Sequence, residues 1–174
     1  MRKLLILLAV VLHAGLFAQP LKDLSLQEIW ASPTFRPSMV MGVSPMQDGQ
    51  HYSTLKIDES GVSIEKYAYS TGLKVGDIYT SASITLPGNK SIQFDSYTFS
   101  KDEKKLLVPT ETEPIYRHSS RSAYVVIDLE KKSASLLSTG KQQYADFSPD
   151  GKQIAFVRDN NLFVKDLISG KETA

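Results

Sequence analysis

The stretch FSPDGKQIAF, residues 147–156, has the pattern of a strand that ends, a tight turn and a second strand that begins. Pro149 occupies the second turn position, where its fixed φ is already suitable, and Asp150 and Gly151 complete the turn. The alternating apolar residues that follow are typical of a half-buried strand. The stretch therefore predicts a β-hairpin, and its recurrence along the chain decides the fold class.

The same unit occurs twice earlier in the chain in modified form. FSKDEKKLLV (99–108) lacks the proline and glycine of the turn, and VSPMQDGQHYSTL (43–55) has two extra residues before its Asp-Gly. The turn serines Ser44, Ser100 and Ser148 are separated by 56 and 48 residues. That spacing is typical of propeller blades, which consist of four short antiparallel strands.

The repeat predicts an all-β chain that forms an incomplete β-propeller of about three blades over residues 36–174. A β-sandwich is the alternative, and the repeat spacing favours the propeller. We expect the last blade to lack its outer strand. Because propellers close rings of four to eight blades, three blades leave open faces. We therefore expect a fragment of a longer protein; poor folding alone and self-association are the alternatives.

The first 35 residues differ from the repeat. Two basic residues precede an apolar run over 4–12, which predicts a secretory signal peptide over residues 1–18. An uncleaved anchor is the alternative, although a transmembrane helix needs about 20 residues. Residues 19–35 are predicted to form an N-terminal arm with a short amphipathic helix, and we expect Trp30 to pack in the folded protein. Signal cleavage would make the protein periplasmic or secreted.

Composition excludes several function classes. The chain is 41% apolar and 22% charged, as in globular proteins. Removal of residues 1–18 leaves 18 basic and 19 acidic side chains, so we predict neither nucleic acid nor, after signal cleavage, a membrane as partner. The sequence has no cysteine, which excludes disulfides and a cysteine-linked lipid anchor. Without zinc-binding or phosphate-loop motifs, we predict no metal or other cofactor.

The second repeat unit contains an insertion. From its turn serine to the aspartate that ends its third strand, this unit spans 28 residues, against 18 in the third unit. The extra residues, about ten, lie within PTETEPIYRHSS (109–120). Loops on a rigid scaffold often carry recognition residues. Arg117 is the candidate binding residue because its five N–H donors suit carbonyl and carboxylate groups, and Tyr116 could brace it.

Less specific interpretations of the insertion are also open. Arg117 could pair with Glu111 or Glu113 in a solvated hairpin, and His118 is more typical of a surface hydrogen-bonding residue than of a catalyst. A Ser-His-Asp triad needs three converging groups and an oxyanion hole. The sequence contains no Gly-x-Ser-x-Gly nucleophile elbow. We therefore predict no catalytic residue in this chain.

Taken in order, these motifs resemble the N-terminal part of the dipeptidyl peptidase IV family of serine exopeptidases. The resemblance runs from about residue 24 to the end and rests on EIW (28–30), GVSPMQDGQHYSTL (42–55), KYAYSTG (66–72), YRHSSRSAYVVIDL (116–129) and FSPDGKQIAFVRDNNLFVKDL (147–167). Many propellers with Ser-Pro-Asp-Gly turns share the last block. The RHS block in an inserted hairpin is the specific one.

The resemblance implies an eight-bladed propeller followed by an α/β-hydrolase domain that residues 1–174 do not include. It implies a peptidase that removes Xaa-Pro or Xaa-Ala dipeptides from peptides with a free N-terminus and forms a homodimer when full length. It also implies that Arg117 donates to a substrate backbone carbonyl beside the scissile dipeptide. A periplasmic binding propeller without catalysis is the alternative, and the inserted YRHSS segment favours the peptidase.

Overall fold

The computed structural model describes residues 23–36 and 41–174. The predicted signal peptide lies outside the described residues, as do residues 19–22 of the predicted arm. In the first described segment, helix α1 (Leu26–Trp30) begins after Ser25, whose side chain accepts a hydrogen bond from the Glu28 amide at 3.2 Å. A 3₁₀ turn follows at Pro33–Phe35. No helix among the described residues is long and apolar enough to span a membrane.

The segment that carries the single tryptophan does not enclose its ring, and packing of Trp30 against the first repeat unit stays a prediction. Trp30 is 81% exposed, and the described part of α1 contains no buried residue. A five-residue helix has one narrow apolar stripe and few side chains to enclose a large ring. The short amphipathic helix itself is confirmed.

Residues 41–174 contain twelve strands arranged in three four-stranded antiparallel sheets, each in chain order. The first sheet consists of β1 (Met41–Pro45), β2 (His51–Asp58), β3 (Gly61–Ala68) and β4 (Lys74–Thr80). The second consists of β5 (Thr98–Phe99), β6 (Lys105–Tyr116), β7 (Ser119–Asp128) and β8 (Ser133–Leu136). The third consists of β9 (Gln143–Phe147), β10 (Gln153–Arg158), β11 (Asn161–Asp166) and β12 (Glu172–Thr173). The fold is therefore a partial β-propeller, as predicted.

The third blade has an outer strand, contrary to our prediction. β12 contains only two residues, and Val164 and Lys165 of β11 pair with Thr173 and Glu172. The Glu172 carboxylate also lies 3.1 Å from the Arg158 guanidinium. Glu172 has a low strand propensity and β12 is only two residues long, so its pairing and this contact hold it in place, and no sequence pattern reveals either.

The turns of the repeat have a shared geometry. In the third sheet the Gly151 amide donates to the Ser148 carbonyl at 2.8 Å, and Gly151 has a φ of +67°. In the second sheet Glu103 takes the place of this glycine with a φ of +56° and donates to the Ser100 carbonyl at 2.8 Å. The Ser100 hydroxyl and the Asp102 carboxylate are 2.6 Å apart. The altered turn therefore keeps its shape through side-chain hydrogen bonds.

The core is divided between the two interfaces of the middle sheet. Leu106 and Val108 of β6 face the first sheet, and Leu107 faces the third, because successive strand residues point to opposite sides. The segment between β4 and β5 adds buried apolar side chains to the first interface (Ile84, Ile92, Phe94). Packing on both faces fixes the middle sheet, and with it the hairpin formed by β6 and β7.

Candidate substrate-binding hairpin

The predicted insertion forms an extension of the β6–β7 hairpin. β6 has twelve residues and β7 has ten, and the chain reverses at Arg117 and His118. Pairing is regular from Lys105 opposite Asp128 as far as Thr110 opposite Ala123, and the register then shifts twice before the tip. Such irregularities increase twist and redirect a strand end. The hairpin therefore places Arg117 at the end of a bent two-stranded ribbon.

The base of this ribbon is tied to the segment that leads into the third sheet. Ser122 and Gln142 exchange backbone hydrogen bonds of 2.9 and 2.8 Å. The Gln142 side chain is fully buried, its Oε1 accepts from the Tyr124 amide at 3.2 Å, and its Nε2 donates to the Gly140 carbonyl at 2.8 Å. A buried amide with these partners fixes the position of the ribbon relative to the third sheet.

A charged cluster supports the middle of the ribbon. The Glu113 carboxylate lies 2.8 Å from the Arg121 Nε and 2.8 Å from the Lys141 Nζ. The hydrogen bonds from Lys141 and then from Arg121 lower the pKa of Glu113. Lys141 also donates to the Glu111 carbonyl at 2.5 Å, where Glu111 has a φ of +49°. These contacts hold the bulged part of β6 against the incoming segment of the third sheet.

Arg117 does not take part in this cluster. The alternative in which it pairs with Glu111 or Glu113 is wrong, because Glu113 binds Arg121 and Lys141, and no carboxylate in the described part of the chain is within ion-pair distance of the Arg117 guanidinium. Arg117 is exposed. Its N–H donors therefore remain available for a ligand.

The tip of the ribbon borders a shallow surface depression of about 300 Å³. Its lining residues come from the hairpin and from β9 (Tyr116, Arg117, His118, Ser119, Tyr144). Tyr116 is 77% exposed, and among the described residues it makes no cation–π contact with Arg117, so bracing by Tyr116 is not observed. His118 is exposed, as predicted for a surface residue. The depression thus combines aromatic rings with a guanidinium that has no ion-pair partner in the part of the chain that the structure describes.

Tyr144 is the member of this site that sequence reasoning missed. It lies in β9, three residues before the FSPDG turn, and the residue is 67% exposed. Its backbone has a φ of +54°, an unusual conformation for a bulky residue. An isolated tyrosine in a strand gives no sequence signal for either property. Among the described residues, no group of three His, Asp or Glu side chains could hold a metal ion.

Comparisons with known proteins agree on one family. Residues 100–174 match the family described as the dipeptidyl peptidase IV N-terminal region. A probable dipeptidyl-aminopeptidase B of Phaeosphaeria nodorum is 32% identical over 130 residues, which cover 65% of this chain and 14% of that protein. A probable dipeptidyl-aminopeptidase B of Podospora anserina is 43% identical over 72 residues, covering 39% of this chain and 8% of that protein.

Among solved structures, Porphyromonas gingivalis dipeptidyl peptidase 4 superposes with a TM-score of 0.73 at 32% sequence identity. The match covers 87% of this chain and 21% of that one. This chain therefore spans a small part of the length of the proteins it matches. The repeat, the three sheets, the extended hairpin and these similarities lead to one conclusion: residues 100–174 match the dipeptidyl peptidase IV N-terminal region, and the chain as a whole resembles part of that region.

Proposed function

We propose that this chain is the N-terminal part of a secreted serine dipeptidyl peptidase, and that Arg117 binds a backbone carbonyl of the peptide substrate. The parent protein would release Xaa-Pro or Xaa-Ala dipeptides from peptides with a free N-terminus. Its nucleophile and the remaining catalytic groups would lie in a hydrolase domain beyond residue 174. The propeller described above would supply a wall of the substrate cavity.

The main support for the proposal is the Arg117 guanidinium, which lies without an ion pair among the described residues at the tip of the β6–β7 hairpin. Glu113 and Lys141 fix the ribbon, and Gln142 fixes its base, while Arg117 makes no ion pair among the described residues. A side chain that is exposed, on a supported backbone and without a partner can meet an incoming ligand with little rearrangement. Curated relatives with similar sequences are named dipeptidyl-aminopeptidases, which supports a peptide as that ligand.

The chemistry of Arg117 suits a carbonyl of an extended peptide. Its planar guanidinium carries several N–H donors and stays charged over the whole physiological pH range. A hydrogen bond from a charged donor contributes about 1.5–3 kcal/mol when its partner is shielded from water. A full-length enzyme that closes over the substrate would provide this shielding.

Kinetics on the full-length parent protein test the proposal. We expect Arg117→Ala to lower kcat/KM for Gly-Pro-p-nitroanilide about 10- to 100-fold and Arg117→Lys to retain part of the lost activity. Lys101→Ala, which removes an exposed cation from a turn of the same sheet, is the matched control and should have no effect. Unchanged kcat/KM in Arg117→Ala would contradict the role of Arg117.

The same preparation separates this proposal from a binding propeller without catalysis. A dipeptidyl peptidase should release the dipeptide from a free peptide but not from its N-acetylated form. If the parent protein released no dipeptide from either peptide, the binding function would be favoured instead. Mass spectrometry of the products identifies the bond that is cleaved.

The remaining assignments belong to the same proposal. We propose a signal peptide over residues 1–18, an N-terminal arm over 19–35 and the propeller region over 36–174. Export would place the protein in the periplasm or outside the cell, where the full-length form would be a homodimer. N-terminal sequencing of the exported protein tests the cleavage site, and sedimentation of the full-length protein tests the dimer.

A further inference from the structure

We propose that Tyr144 is a second substrate-contacting residue, whose ring covers the N-terminal side chain of the peptide that Arg117 binds. The inference extends the proposed function and rests on it. It assigns to the third sheet a direct part in substrate selection, with preference for peptides whose first side chain is apolar and bulky.

The first observation is a β-bulge at Tyr144. Gln143 pairs with Val157 and Asp146 pairs with Ala155, so two residues of β9, Tyr144 and Ala145, oppose a single residue of β10. A bulge bends its strand and points a side chain away from the direction that regular pairing would give it. Such bulges are common beside binding and catalytic sites.

The second observation is the left-handed backbone of Tyr144. A φ of +54° is unfavourable for a bulky residue, and glycine or asparagine would adopt it with less strain. Strained residues of this kind are concentrated at ligand sites, where the conformation is held by its surroundings. At Tyr144 this conformation comes with an aromatic ring on the surface, where burial of the ring contributes little to the stability of the fold.

The surroundings that hold this conformation are visible on both sides of the bulge. On one side the buried side-chain amide of Gln142 is held by its hydrogen bonds to the backbone of Tyr124 and Gly140. On the other side the half-buried Tyr124 side chain of β7 packs against the same apolar cluster as Ala145. Burial raises the pKa of the Tyr124 phenol, and a hydrogen bond with the Ala145 backbone opposes part of that rise. The bulge is therefore fixed by the strand that also forms the hairpin.

The third observation is what the ring lies beside. Tyr144 shares the surface depression with Arg117 and Tyr116 at the tip of the hairpin, and both tyrosines are mostly exposed. A peptide whose carbonyl accepts from Arg117 brings the side chain next to that carbonyl into the same depression. An aromatic ring there covers an apolar side chain and leaves a glycine largely uncovered.

The test compares two reporters on the full-length protein, Ile-Pro-p-nitroanilide and Gly-Pro-p-nitroanilide. Tyr144→Gly removes the ring while glycine tolerates the left-handed backbone, so the variant should fold. We expect it to lower the ratio of kcat/KM for Ile-Pro to that for Gly-Pro about 3- to 10-fold, the size of an aromatic contact. Tyr144→Phe keeps the ring and should keep the ratio.

Asn160→Gly is the matched backbone control, because Asn160 also has a left-handed φ, of +61°, in the third sheet but lies in the β10–β11 turn. It should leave the ratio unchanged. If Tyr144→Gly left the ratio unchanged, including by an equal loss of kcat/KM with both reporters, the role of Tyr144 would be overturned. The proposed function would still stand in that case, provided that Arg117→Ala lowered kcat/KM for both reporters. Absence of dipeptide release by the parent protein would overturn both.

Discussion

Replacement of Gln142 by alanine should detach the base of the hairpin from the third sheet. The Gln142 side chain is fully buried, accepts from the Tyr124 amide at 3.2 Å, and donates to the Thr139 and Gly140 carbonyls at 3.2 and 2.8 Å. Alanine leaves these backbone groups without the amide and leaves a cavity. An unsatisfied buried group costs about 1–3 kcal/mol, and we expect a total local destabilisation of about 2–4 kcal/mol.

Native-state hydrogen exchange on the full-length protein measures this destabilisation where it arises. A loss of about 2–4 kcal/mol lowers the protection of the Ser122 and Tyr124 amides by about 30- to 1,000-fold if they exchange through local opening. Gln153→Ala is the matched control, because Gln153 is an exposed glutamine of β10. Unchanged protection in Gln142→Ala would refute the reasoning that this amide couples the hairpin to the third sheet.

Three further predictions concern the turns and the activity of the chain. Gly151→Ala should lower the free energy of unfolding by about 1 kcal/mol, because Gly151 has a φ of +67°. Gly76→Ala is the control and should not lower it, because Gly76 has open space around it and no left-handed φ. Thermal melts of the two variants measure the difference in stability. The Ser100 hydroxyl lowers the pKa of Asp102. This carboxylate should therefore stabilise the fold at pH values above its unfolded pKa of about 3.9, and the stabilisation should disappear as the pH falls through the lower folded pKa. In thermal melts between pH 6 and 2, Asp102→Asn should show a smaller acid-induced loss of stability than the wild type. The isolated 174-residue chain, freed of host proteases, should release no dipeptide from a Gly-Pro reporter, and release at a rate proportional to chain concentration would contradict this.

The strand pattern of the fold could be predicted because local chemistry determines it. The Ser-Pro-Asp-Gly turn at residues 148–151 sets its own geometry, and the turn at Ser100 keeps that geometry although Glu103 replaces the glycine. The spacing of these turns then gives the blade length. Local rules therefore predicted the three sheets and the extended hairpin.

The features that prediction missed depend on contacts between distant residues. The two residues of β12 are ordered by pairing with β11 and by Arg158. The bulge at Tyr144 depends on the β9–β10 register and on the fixed segment before it. Glu113 pairs with Arg121 and Lys141, and Arg117 has no ion pair within the described ranges 23–36 and 41–174. Neither periodicity nor turn chemistry encodes such contacts.

We propose above all that Arg117 binds a substrate carbonyl in the full-length protein. A crystal structure of that protein with a non-hydrolysable Ile-Pro peptide analogue tests it most directly. We predict an Arg117 guanidinium nitrogen within about 2.7–3.2 Å of the backbone carbonyl next to the first side chain. An analogue bound in the cavity with Arg117 directed into solvent, or paired with a carboxylate of the protein, would contradict the claim.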